Sequence, residues 1–141
     1  EITERDWSSD VCSSDLKKLC SQGPKISIIT NVRNPEFRKQ TFVYAFNQKD
    51  HKFWKVSCDY VPAAYPGTGD TFTSIITGCL LQGDSLPMAL DRAVQFISTA
   101  IRATYGYDYD PRHGIMLEKV LPNLNAPFRP SSFELLSEEE E

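Results

Sequence analysis

The chemistry most open to reading lies in residues 65–72, Tyr-Pro-Gly-Thr-Gly-Asp-Thr-Phe. A glycine-rich turn runs straight into an amphipathic helix, and one carboxylate, Asp70, stands at the joint. Free backbone N–H groups at a helix start attract anions, and glycines let a phosphate come close to the backbone. A carboxylate beside an anion site repels a phosphate, so its presence points to a task such as taking a proton from an attacking hydroxyl. That combination reads as phosphoryl transfer. Pro66 stiffens the approach, Gly67 and Gly69 bracket Thr68, and the small polar Thr71, Thr73 and Ser74 leave room on the exposed side. A plainer reading stays open at this point, a tight turn in which Asp70 merely caps the helix. The loop is not a Walker A motif, since no Gly-Lys-Ser/Thr follows, and its glycine spacing does not fit a dinucleotide fingerprint.

The surrounding pattern supplies elements to position this turn. Leu16, Leu19 and Cys20 have helical spacing, and Gly23-Pro24 ends that run. The β-branched stretch 25–32 predicts a buried strand. Thr41–Phe46 and Phe53–Cys58 alternate around a polar loop and predict a hairpin, with Trp54, Val56 and Cys58 on its core face. Residues 61–66 are extended because a residue before proline avoids the helical region. Phe72, Ile75, Ile76, Cys79 and Leu80 form one helical stripe. A second runs through Leu86, Leu90, Ala93, Val94, Ile97, Ala100 and Ile101, with Ser85 as N-cap, Pro87 in the first turn and Gly106 at the end. Asp91 and Arg92 are expected as an exposed pair on this helix. A short helix over 115–121 and a loop over 122–127 follow. Three strands with three or four helices suggest α/β, with the proportions of one half of a larger layered structure.

Composition narrows the function classes. The chain has 141 residues, 40% of them hydrophobic, which suits one modest globular domain. A net charge of −4 argues against nucleic acid and anionic membrane surfaces as partners. No apolar run is long enough to span a bilayer. The four cysteines, Cys12, Cys20, Cys58 and Cys79, include no Cys-x-x-Cys pair and have no His at ligand spacing. They are therefore expected as free thiols in a reducing cytoplasm rather than as a zinc site, and no metal-ligating residue is assigned. His51 and His113 lie in polar loops with no nucleophile near them in sequence.

On residues 65–72 the chain resembles the pyridoxal/pyridoxamine kinase branch of the ribokinase superfamily; the sugar kinases of that superfamily more often carry Gly-Ala-Gly-Asp. The stretches 82–94 and 120–124, and Ile28-Ile-Thr-Asn, are similar as well. The resemblance covers roughly residues 16–136 and implies the C-terminal half of a ribokinase-like three-layer α/β/α fold. It implies that Asp70 takes the proton of the substrate's 5′-hydroxymethyl group. Gly67, Thr68 and Gly69, with the Asp70 amide, would form the anion hole for the transferring phosphoryl group, consistent with a reaction carried by positioning and electrostatics. Thr30 and Asn31 match residues that touch ATP phosphates; the family usually has Thr-Ser there, so Asn31 is a departure. Tyr60 and Phe96 lie where the adenine pocket is expected, with a plain core role as the alternative. The implied partners are ATP with Mg²⁺, and pyridoxal, pyridoxamine or pyridoxine; the parent would be a cytoplasmic homodimer. Hydroxymethylpyrimidine kinases of the same superfamily often place Cys where Asp70 stands, so Asp70 favours the pyridoxal branch.

Residues 6–16 have neither helical nor strand periodicity and repeat Ser-Ser-Asp. They resemble the translation of a short-read sequencing adapter. The expected organisation is therefore a non-native leader over residues 1–16, the phosphate-site half of a kinase domain over 17–136, and an acidic, solvated tail over 137–141. The alternative for the leader is a natural Ser/Asp-rich loop with a helix N-cap at Ser14 or Asp15. The family binds its pyridine ring through an N-terminal half that this sequence does not contain, so the chain alone is expected to be inactive.

Overall fold

The computed structural model describes residues 9–108, 110–127 and 133–136, which fall into two compact units. The first unit runs to Tyr60 and takes in the last strand; the second begins at Val61. The expected leader residues 1–8 and the acidic tail lie outside the described residues.

In the first unit, helix α1 (Ser9–Cys20) is followed by strands β1 (Ile26–Val32), β2 (Gln40–Asn47) and β3 (Lys52–Asp59), with β4 (Phe133–Leu136) returning from the far end of the chain. The sheet has the order β1-β2-β3-β4, antiparallel at every step. The helix extends further toward the N-terminus than the spacing of Leu16, Leu19 and Cys20 predicts, so Ser14 and Asp15 lie inside it and neither caps it. Lys17 and Lys18 in its last turn complement the negative end of the helix dipole.

Leu16 and Cys20 project from α1 into a cluster with Val32, Phe42, Tyr44, Phe46 and Phe53. Ser27 ties the helix to the sheet: its hydroxyl donates to the Leu16 carbonyl at 2.9 Å and accepts from the Cys20 thiol at 3.3 Å. Phe46 and Phe53, directly opposite in the β2–β3 register, stack at 4.5 Å. All of Phe42–Phe46 is buried, so both faces of β2 are covered.

The same packing corrects the expected face of β3. Val56 is fully buried as predicted, but Trp54 and Cys58 are only half-buried, while Phe53 on the opposite face belongs to the core. The reason is α1, which covers the Phe53 face. There Lys17 and Lys55 lay their stems along aromatic rings, with Nζ 5.2 Å from the Phe53 centroid and 4.6 Å from that of Phe42. The fourth strand is also additional to the predicted three. Phe133–Leu136 is short and half exposed, and its register places Phe133 beside Val56, with its ring edge-on to Trp54 at 6.0 Å.

In the second unit, helices α2 (Thr68–Leu81) and α3 (Leu86–Tyr105) pack against each other. A 3₁₀ turn (Pro111–His113), a one-turn helix α4 (Leu117–Val120) and a further 3₁₀ segment (Leu121–Asn125) follow. Ile75, Ile76 and Cys79 form the buried face of α2. The helix stops at Gly83, whose φ of 94° only glycine adopts readily, with Gly83 N–H donating to Leu80 O and Asp84 N–H to Cys79 O. Ser85 then caps α3, accepting from the Met88 amide at 3.4 Å, and Pro87 sits in the first turn as its fixed φ predicts. Asp91 departs from expectation: it is fully buried on α3 rather than exposed. Arg92 does not simply face solvent either, since its guanidinium donates to the carbonyls of Leu124 and Ala126 at 2.9 and 3.3 Å and holds the 121–126 segment to the helix. No helix among the described residues is long and apolar enough to cross a membrane.

Candidate active site

The glycine turn is built as a helix N-terminus. Gly67 occupies the N-cap in the left-handed conformation, φ 85° and ψ −3°, and no side chain caps the helix there. A side chain at that φ is strained, which accounts for glycine at the position. The first backbone hydrogen bond of α2 runs from the Thr71 amide to the Gly67 carbonyl at 3.0 Å. The amides of Thr68, Gly69 and Asp70 precede it, so the helix offers them no acceptor of its own. Gly67, Gly69 and Asp70 are exposed and Thr68 is half-buried. Three backbone donors and the positive end of a fourteen-residue helix thus open on one surface.

Asp70 is the third residue of α2, not its cap. Its carboxylate is exposed within the first turn, where the helix dipole favours a negative charge. The neighbouring hydroxyls are turned inward. Thr71, Thr73, Ser74 and Thr77 each donate to the carbonyl four residues back, at 2.8–2.9 Å. The Thr68 hydroxyl reaches the Tyr65 carbonyl at 3.3 Å. These hydroxyls are therefore committed as donors to the helix and its entry, and the donors open to an anion are the backbone amides.

The loop entering the helix is backed by residues 110–114, where the sequence predicts only a polar loop around His113. Gly114, buried with φ 79°, lies against the Pro66 carbonyl, and a Cβ at Gly114 would come within 3.0 Å of that oxygen. Asp110 shapes the preceding 3₁₀ turn, accepting from the Arg112 amide at 3.0 Å and pairing with its guanidinium at 2.8 Å. This pairing lowers the Asp110 carboxyl below its ordinary range. The signal in the sequence is Pro-Arg-His-Gly, a turn ending on a residue free to take positive φ.

Thr30 and Asn31 belong to the first unit. They sit where the β1–β2 register slips between Ile29 and Val32, a bulge rather than the strand's end. Both are exposed, and Asn31 has a left-handed φ of 57° with its side-chain oxygen 3.4 Å from the Thr41 hydroxyl. Bulges of this kind re-aim side chains out of the ladder. Of the two expected adenine-pocket residues, Phe96 is buried on α3, and Tyr60 is exposed with the Arg33 guanidinium 3.6 Å above its ring. Cys20 and Cys79 are buried free thiols and Cys58 is half-buried. Burial is the main cause that raises the Cys79 thiol, with the nearby Asp84 carboxylate adding to it. No three His, Cys, Asp or Glu side chains gather as a metal cage among the described residues.

Known proteins are similar to this chain in sequence and fold. Pyridoxal kinase PdxY of Proteus mirabilis is 32% identical over 85 residues, which cover 58% of this chain and 29% of that protein. A Bacteroides thetaiotaomicron protein provisionally assigned as a phosphomethylpyrimidine kinase, crystallised with pyridoxal, is 54% identical with a TM-score of 0.89, over 96% of this chain and 48% of its own. Plasmodium falciparum PdxK, solved with AMP-PNP and PL, has a TM-score of 0.75 at 16% identity, over 92% of this chain and 44% of its own, a likeness of fold alone. The chain thus spans less than half the length of each of these relatives. Its α/β fold is the ribokinase-like one of the pyridoxal kinases. The sequence pattern of phosphomethylpyrimidine kinases matches residues 3–116, a span that includes β1–β3 and the glycine turn, and the chain belongs to that family.

Proposed function

We propose that this chain is the phosphate-site part of an ATP-dependent pyridoxal kinase. The observation that carries the reading is the helix start at Gly67–Asp70, where amides that the helix leaves without an acceptor and an exposed carboxylate lie within the same first turn. The pyridoxal found with the 54% identical relative, and the pyridoxal kinase among the sequence relatives, support this substrate over a hydroxymethylpyrimidine. The family's own description, phosphomethylpyrimidine kinase, keeps a pyrimidine of thiamine synthesis, such as hydroxymethylpyrimidine, as the second reading.

In the proposed reaction Asp70 accepts the proton of the 5′-hydroxymethyl group as its oxygen bonds to the γ-phosphorus and the bond to the departing ADP oxygen breaks. The amides of Thr68, Gly69 and Asp70 face the charge on the transferring phosphoryl group, with Gly67 holding the turn in its left-handed shape. Thr30 and Asn31 contact the nucleotide phosphates. Mg²⁺ arrives with the nucleotide, whose phosphate charge it neutralises, and no residue described here is assigned to it. The full-length protein works as a cytoplasmic homodimer. The 141-residue chain alone retains the phosphate site without the pyridine pocket and does not turn over. The non-catalytic alternative is a fragment that only binds nucleotide.

A coupled assay with Mg-ATP on the full-length protein tests the reading, with pyridoxal and hydroxymethylpyrimidine compared side by side. Asp70→Asn is expected to lower kcat by ~10²–10⁴, the usual weight of a general base. A loss of only a few-fold would leave Asp70 as a dipole partner and remove its role as general base. Preference for hydroxymethylpyrimidine would select the second reading. Turnover of pyridoxal by the 141-residue chain would refute its inactivity.

We also propose that residues 1–16 derive from adapter sequence rather than from the native gene. Amplification of the source DNA across this junction decides it, and an uninterrupted natural reading frame through Trp7 refutes it.

A further inference from the structure

We infer that Gly114 and Thr104 are positioning residues for the phosphoryl-transfer loop, acting through the backbone of Pro66. The inference rests on the kinase reading of Asp70 and adds to it two residues that touch no reactant.

Pro66 immediately precedes Gly67, so its carbonyl marks where the chain enters the anion-binding turn. Gly114 lies against that carbonyl, so closely that a Cβ built on it would lie 3.0 Å from the oxygen. Other glycines of this unit differ. Gly67, Gly69, Gly78, Gly83 and Gly106 have nothing within 4 Å of a Cβ built on them. Gly114 therefore answers to a contact as well as to its φ of 79°.

The position of Gly114 is itself held on both sides. Before it, the Asp110 carboxylate accepts from the Arg112 amide, His113 N–H donates to Asp110 O, and Gly114 N–H donates to Pro111 O. After it, Ile115 is buried, and the Met116 amide donates to the Thr104 hydroxyl at 2.9 Å. Thr104 is 1% exposed, and its hydroxyl donates in turn to the Ala100 carbonyl at 2.8 Å. The path runs Ala100 carbonyl, Thr104 hydroxyl, Met116 amide, Gly114, Pro66 carbonyl, Gly67. It ties the entry of the turn to the last turns of α3, a twenty-residue helix. A loop whose amides must meet a developing charge gains from such backing, because displacements of a fraction of an ångström already weaken that interaction and about 1 Å can cost ~10² in rate.

The test uses the full-length kinase, with kcat and KM for ATP measured beside thermal unfolding. Gly114→Ala forces the Pro66 carbonyl to move and is expected to lower kcat by roughly 10-fold with KM for ATP changed less than about 3-fold. Thr104→Val removes the hydroxyl that accepts from Met116 and should lower kcat in the same sense, whereas Thr104→Ser should restore it. Gly106→Ala, at φ −76° with open space around it, should leave kcat unchanged. A purely structural role would shift the unfolding temperature and leave kcat per folded molecule intact, which overturns the inference. If Gly114→Ala does not fold, the Thr104 pair decides by the same criterion. Asp70→Asn run in parallel separates the failures. Full activity of that variant refutes the reading of Asp70 as the base, whereas an inactive Asp70→Asn beside fully active Gly114 and Thr104 variants refutes only the strut.

Discussion

The Gly67 carbonyl receives two donors from one residue, the Thr71 amide at 3.0 Å and the Thr71 hydroxyl at 2.9 Å. The first turn of α2 is thereby closed on its acceptor side, while the amides of residues 68–70 keep their donors outward. The left-handed φ of Gly67 makes this possible, since it carries the chain from the turn at Pro66 into the helix within one residue.

Gly67→Ala is accordingly expected to cost about 1–2 kcal/mol of stability, the ordinary penalty for a side chain in the left-handed region. Nothing lies within 4 Å of the added Cβ, so no steric contribution adds to it. Urea unfolding checks the figure. A loss well above this range would mean that the Cβ meets a neighbour after all.

Leu16→Ala should destabilise by about 2–5 kcal/mol, the range for emptying a buried leucine site. Leu16 is 1% exposed and packs with the aromatic residues of β2 and β3. Ser14→Ala, two residues earlier and exposed, should change stability by less than about 0.5 kcal/mol. Equal effects at the two positions would refute the packing of α1 on the sheet.

Thiol chemistry should follow burial. Cys79 is buried with its thiol raised above the ordinary 9.0, so it stays protonated at neutral pH and alkylates slowly. Among the described thiols the half-buried Cys58 should label first, as peptide mapping after brief iodoacetamide treatment would show. The folded state holds the Cys79 proton more tightly than the unfolded one. Its contribution to stability is thus complete below the ordinary thiol value and declines as pH rises past it. A Cys79→Ala variant should lack that alkaline decline.

The Asp110–Arg112 pair makes the opposite prediction. Arg112 lowers the Asp110 carboxyl, so the pair's contribution is present above the ordinary carboxylate value of 3.8 and fades as pH falls below it. The effect is small, because Arg112 is largely exposed and water screens the pair. Thermal unfolding of Arg112→Ala should lie slightly below that of the parent at neutral pH and converge with it in acid. A gap that widens in acid would contradict the pairing.

Local rules already specify much of this protein. Ser85 and Pro87 start α3, Gly83 stops α2, and the stripes of both helices were legible because capping, positive φ and a 3.6-residue period are properties of short segments. The Gly67–Asp70 turn was legible for the same reason, as a motif whose backbone and carboxylate lie within four residues.

Contacts between distant segments were not legible. The core face of β3 depended on which side α1 would cover, and a strand with apolar residues on both faces does not announce that choice. The buried Asp91 reads like any helix-surface acid until α3 is packed. The fourth strand is too short and too exposed to carry a period, and only its pairing with β3 defines it. Gly114 likewise looks like a turn residue in Pro-Arg-His-Gly, and its significance appears once folding brings it against Pro66, forty-eight positions earlier in the chain. Conformations set within a few residues are written locally, whereas burial and steric contact depend on what the rest of the chain brings alongside.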